Sequence, residues 1–133
     1  MKTEIIVCMP LYIESGARKI KRHHINLNNY RNWHHQVSNN IKIKYSDIVA
    51  NKLLRYKNKN FPKIKLEFTY YKPTKAKRDR SNILSIHEKF FCDALTKIGF
   101  IADDNDDIIK SSFFSSGGLD RENPRAEIKI TIL

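Results

Sequence analysis

Hydrophobic and polar residues alternate along this chain with two different periods, and the change of period marks out its elements. Residues 4–9 (Glu-Ile-Ile-Val-Cys-Met) form a short apolar run ended by Pro10, which predicts a strand buried on both faces. A polar, basic segment follows, with a turn predicted at Ser15-Gly16. From residue 28 to about 56, apolar side chains recur at Trp33, Val37, Ile41, Tyr45, Ile48, Leu53 and Tyr56. That near-3.6 spacing predicts one long helix or two, with Ser46-Asp47 as the cap between them. The period drops to two over residues 63–71, where Ile64, Leu66, Phe68 and Tyr70 oppose Lys65, Glu67 and Thr69; this is a half-buried strand.

The helical period returns over residues 83–98, stopped by Gly99, with a capping box from Ser85 to Glu88 as an alternative start. Residues 108–114 and 126–133 predict two more strands, joined by a turn-forming loop over 115–125. The order β-α-β-α-β-β predicts one α+β domain over residues 1–133, a single mixed β-sheet with two main helices packed on it.

Composition narrows the function. The chain has 133 residues, is 41% hydrophobic and carries a formal charge of +11, which fits a folded domain and argues against disorder. No apolar run has membrane-spanning length, and Glu4 breaks any signal-peptide pattern. Cys8 and Cys92, each in apolar surroundings, are expected to be buried free thiols, as in a reducing cytoplasm. The charge is also divided. Residues 1–78 hold 18 Lys/Arg against four Asp/Glu, whereas residues 79–133 hold seven against ten. Such a basic chain favours a polyanionic partner, because cations on phosphates release condensed counterions. Arg18, Lys19, Lys21 and Arg22 form one cluster, and Lys72, Lys75, Lys77, Arg78 and Arg80 form another; both are expected to hold DNA backbone.

Several tempting motifs fail on spacing. Asp103-Asp104-Asn105-Asp106-Asp107 opens like a calcium loop but has Ile108 and Phe114 where glycine and glutamate belong. His23-His24 and His34-His35 are adjacent pairs without zinc spacing, and Gly117-Gly118 is followed by no phosphate-loop lysine. Tyr30 and Trp33 could stack on bases, but their helical spacing favours a core role.

What remains is a constellation around the second helix. On its wheel Asn82, Ser85, Lys89 and Asp93 form one polar edge, where Lys89 and Asp93 would ordinarily make an i,i+4 ion pair. Asp79 precedes the helix and Asp103-Asp104 follow it. If residues 100–102 run back along the helix, these carboxylates meet beside Lys89, as hard ligands suited to Mg²⁺.

Asp79-Arg80-Ser81-Asn82, then Lys89-Phe-Phe-Cys-Asp93-Ala94-Leu95-Thr96-Lys97-Ile98-Gly99, then Asp103-Asp104, resembles the RusA family of Holliday junction resolvases. That family's pattern is D-x-D-N, K-x-x-x-D-A-L-x-x-x-G and D-D, and the resemblance spans residues 64–114. It implies a homodimeric, Mg²⁺-dependent endodeoxyribonuclease that nicks four-way DNA junctions symmetrically. Asp79, Asp103 and Asp104 match the family's metal positions. Asp79, Lys89 and Asp104 match its catalytic ones, with Asn82 and Asp93 supporting the motif. Ser81 stands where the family has its second aspartate, and the helix carries about four extra residues before Lys89. Two alternatives follow: a branched-DNA-binding protein of the same fold without turnover, and a basic RNA-associated structural protein.

Overall fold

The computed structural model describes residues 3–133. Its framework is a four-stranded mixed sheet in the order β1-β6-β4-β5, from β1 (Thr3–Met9), β4 (Ile64–Lys72), β5 (Ile109–Leu119) and β6 (Arg125–Ile132). β6 runs antiparallel to both neighbours, and β5 runs parallel to β4. A parallel pair needs a crossover connection, which α3 (Arg80–Lys97) supplies. α2 (His35–Lys52) lies beside α3. The predicted α+β architecture of two main helices on one mixed sheet is therefore present.

The core lies between the sheet and these helices. Ile64, Leu66, Phe68 and Tyr70 of β4 and Ala126, Ile128 and Ile130 of β6 face Ile41, Tyr45 and Val49 of α2 and Leu84, Phe90, Phe91 and Leu95 of α3. Full burial of side chains this large contributes about 1.5–3 kcal/mol each. Tyr30 packs edge-on against Phe90 and Trp33, so both aromatics belong to the core margin.

Five elements differ from the pattern-based expectation. β1 was expected to be buried on both faces, but it is an edge strand whose Ile6 is 51% exposed. Residues 12–24 fold as a separate antiparallel hairpin, β2 (Tyr12–Ser15) and β3 (Lys21–His24), where only a turn was expected. Their side chains are mostly polar, and only Ile13 is fully buried, so no alternation marks them. The first helical region breaks at Trp33, not at Ser46-Asp47. A short α1 (Leu27–Asn32) is capped by Asn26, and the His34 ring accepts from Gln36 N to open α2. Ser46 instead lies buried inside α2.

α3 begins three residues earlier than its apolar stripe suggests. The Asp79 carboxylate accepts from Ser81 N at 2.9 Å and caps it. Last, β5 continues to Leu119, through the first part of the segment expected to be a loop, and leaves only residues 120–124 to connect it to β6. Gly117 makes this possible, because a Cβ there would strike the Tyr71 ring of β4. Cys8 is half-buried and only Cys92 is buried; both are free.

Candidate functional site: an acidic cleft and a basic end

Sheet polarity sorts the charges. Because Met9 pairs with Ala126, Tyr71 with Arg125 and Lys72 with Leu119, the ends of β1, β4 and β5 and the start of β6 share one edge of the molecule. The hairpin β2–β3 follows β1, and the basic loop between β4 and α3 leaves from that same end. His24, the last residue of the hairpin, and Asn26, just after it, line a hollow together with Tyr70, Arg78 and Asn82. Arg18, Lys19, Lys21 and Arg22 thus belong to the same end as Lys72, Lys75, Lys77, Arg78 and Arg80. All nine are at least partly exposed. Lys44 of α2 donates to the Glu14 carbonyl at 2.9 Å and ties the hairpin to the body, while Arg22 pairs with Glu14 at 3.5 Å across the two hairpin strands.

The opposite end carries the acidic loop. Its path is set where α3 stops. Gly99 adopts φ +74°, and Asn58, Asn60 and Phe61 donate backbone hydrogen bonds to the carbonyls of Ile98, Gly99 and Phe100. Phe100 and Ile101 are then buried, and the chain emerges at Asp103. The Asp103 carboxylate accepts from Asp104 N at 2.8 Å and from the Asn105 amide at 3.1 Å. Those bonds hold its pKa below the ordinary carboxylate value. They also turn Asp103 onto its own loop.

Asp104 and Asp106 reach a cleft of about 320 Å³ between α3 and β5, lined also by Glu88, Lys89, Cys92, Lys110 and Ser112. Ser112 of β5 donates to the Glu88 carboxylate, fixing it across the cleft mouth. The Cys92 thiol is pushed up to about 12, first by burial and then by the charges of Glu88, Asp104 and Asp93. It therefore stays protonated at neutral pH, a neutral wall rather than a nucleophile.

The expected carboxylate centre is only partly assembled. Lys89 and Asp104 do meet. Asp79 does not join them: it caps α3 at the basic end, ten positions before Lys89, about 15 Å of helix rise away. Asp103 is outside the cleft lining as well. The reason is the βαβ crossover, which carries the chain from one end of the sheet to the other between these residues. Among the described residues, no three His, Cys, Asp or Glu side chains converge on one cation position.

Asp93 does not pair with Lys89 but with Lys42 of α2, at 3.1 Å, and so acts as an interhelix tie. Asn82 lies at the basic end. Glu88 is the cleft residue that sequence reasoning assigned elsewhere, to a capping box. Its place immediately before Lys89 and four before Cys92 was the available signal.

The site thus defines a class: an α+β domain with a cationic end and a lysine-bearing acidic cleft on the same helix. No protein-family model matches the chain, and no curated protein matches it significantly. No helix is long and apolar enough to cross a membrane, among the described residues.

Proposed function

We propose that this protein is a magnesium-dependent endonuclease for branched, four-way-junction DNA, with its reaction centre in the Glu88–Lys89–Asp104–Asp106 cleft. The observation that carries this reading is the meeting of Lys89 and Asp104. These two resemblance-motif residues, from the middle of α3 and from the loop beyond it, share one cleft with two further carboxylates. The donors there are carboxylate and hydroxyl oxygens, the hard set that suits Mg²⁺, and this ion commonly takes only one or two protein carboxylates. Glu88 and Asp104 are the residues that would hold it, where it would polarise a phosphoryl oxygen.

The chain's own groups do the rest. Lys89 offers an ammonium to the non-bridging oxygens of a phosphodiester, favouring the added charge of the transition state. Ser112 keeps Glu88 oriented. The basic hairpin and the basic loop hold backbone phosphates at the other end of α3. One turn of duplex rises about 34 Å, so a single DNA arm lying on the basic end can also pass the cleft. A second copy would present a second cleft to the opposed strand, as paired nicking requires.

A second reading, a junction binder without turnover, draws on Ser81 and on the absence of a three-ligand cluster among the described residues. A labelled synthetic four-way junction incubated with Mg²⁺ separates the two. Paired nicks from the native chain and none from Asp104→Asn support the nuclease. Tight binding with no nicks beyond the Asp104→Asn background supports the binder.

A further inference from the structure

A second, larger cavity of about 660 Å³ opens at the basic end, between the β2–β3 hairpin, the end of α2 and the loop before β6. Its volume is in the range of small-molecule sites. Two properties of its lining are informative together. It has an apolar floor that includes Leu11 and Pro124, with the Tyr12 ring at its side. It also has four basic groups, Arg22, His24, Lys52 and Arg125, and no carboxylate among the described residues lines it.

The cations are not equally free. Arg125 is held by Asp120 at 2.8 Å and Glu127 at 3.3 Å and lies 3.9 Å over Tyr71. The Arg22 guanidinium is paired with Glu14 at 3.5 Å and lies 4.5 Å over Tyr12, with the His24 ring tilted beside the same tyrosine. Lys52 makes no ion pair among the described residues. A ligand that satisfies such a lining is anionic at one end and flat and apolar at the other. An aromatic-and-arginine wall accepts any nucleobase, because every base has a π-face.

We propose that this cavity takes a single nucleotide, with its base against Tyr12 and the apolar lining and its phosphate at Lys52. This assignment rests in part on the DNA-binding reading, since the cavity adjoins the basic hairpin that would hold the strand. The nucleotide would come either from an unpaired position in bound DNA or from free mononucleotide, and the two sources separate by experiment.

The full chain is titrated, at one fixed salt concentration, with a fully paired duplex, a duplex carrying one unpaired adenosine, and that duplex with an abasic residue in its place. Free 2-aminopurine deoxyribonucleoside monophosphate, followed by fluorescence, forms a separate arm. The base-bearing bulge is expected to bind about tenfold tighter than the abasic one, as for a single stacked base. Tyr12→Ala removes that margin, measured as the ratio of the base-bearing to the abasic bulge in the same variant. Tyr12→Leu, which keeps apolar bulk in the hairpin, removes it too; retention of the margin in Tyr12→Leu would overturn base stacking as the cause. Lys52→Gln weakens the mononucleotide several-fold.

Paired-duplex binding with no difference between base-bearing and abasic bulges overturns a DNA-borne nucleotide, and failure of the mononucleotide to bind then overturns the cavity assignment altogether. Mononucleotide binding that depends on Tyr12, in a protein that binds no duplex, keeps the cavity assignment and removes the DNA-binding reading.

Discussion

The clearest consequence of a single residue's surroundings is at His87. It is fully buried on α3, and its Nδ1 shares a 2.8 Å hydrogen bond with the Tyr45 hydroxyl of α2, while Nε2 has no partner. Burial lowers its pKa from 6.5 to about 3. The folded state therefore holds this ring neutral while the unfolded chain takes up a proton below about pH 6.5. Its contribution to stability is whole above that pH and is lost progressively as pH falls toward 3. Melting temperature should decline from about pH 7 to about pH 4.5, and His87→Leu should flatten that limb. His23, lowered by burial and then by Lys21 and Lys44, acts in the same direction, so some slope should persist. Asp103 and Asp120, whose pKa values are lowered by hydrogen bonds, add acid sensitivity only below the ordinary carboxylate range. At neutral pH, Tyr45→Phe should cost about 1–2 kcal/mol by stranding the imidazole, and adding His87→Leu should recover much of it in a denaturation cycle.

At the scale of elements, α3 carries both a stability prediction and a functional one. Asp79→Ala should destabilise the fold by about 1 kcal/mol through the lost cap. Asp79→Asn, which keeps a capping oxygen but removes the charge, should retain both stability and nicking if the centre lies in the cleft. Loss of nicking in a folded Asp79→Asn protein would return the centre to the α3 N-terminus. At the other end, Gly99→Ala should cost more than about 1 kcal/mol: φ is +74°, and the new Cβ would lie 2.6 Å from Asn58 Oδ1. The contrast between these elements explains what the pattern reveals.

β4 and β6 were legible because one face of each is fully apolar, and the body of α3 because its stripe faces the core. Its start was not, since the first turn beyond Asp79 is polar and exposed. The β2–β3 hairpin buries little, and β5 passes through two glycines that pattern alone assigns to a turn. The site was legible in the same proportion. Lys89 and Asp104 could be paired from motif spacing, but Asp79 could not be placed without knowing that a crossover separates it from Asp104. Glu88 was hidden because a carboxylate beside a lysine on a helix ordinarily means solvent.

At the scale of the whole molecule, the formal charge of +11 matters less than its segregation. The sheet polarity that sends Asp79 and Asp104 to different ends also collects two cationic clusters from separate parts of the chain. A surface built in this way should bind a junction with strong salt dependence. Each phosphate-bound cation that is neutralised should flatten the slope of log K against log salt by about 0.9. Lys19→Gln with Lys75→Gln removes one cation from the hairpin and one from the loop, both exposed. That double variant should flatten the slope by about two, with additive single effects and unchanged melting temperature. If both clusters touch one continuous backbone, the weakening should be equal for four-way junctions of unrelated sequence, because phosphates carry no base information. Lys110→Gln, in the cleft at the other end, should leave most of the binding slope intact and act on turnover instead. A slope insensitive to Lys19 and Lys75 but dependent on Lys110 would move the DNA path off the hairpin and onto the edge of β5.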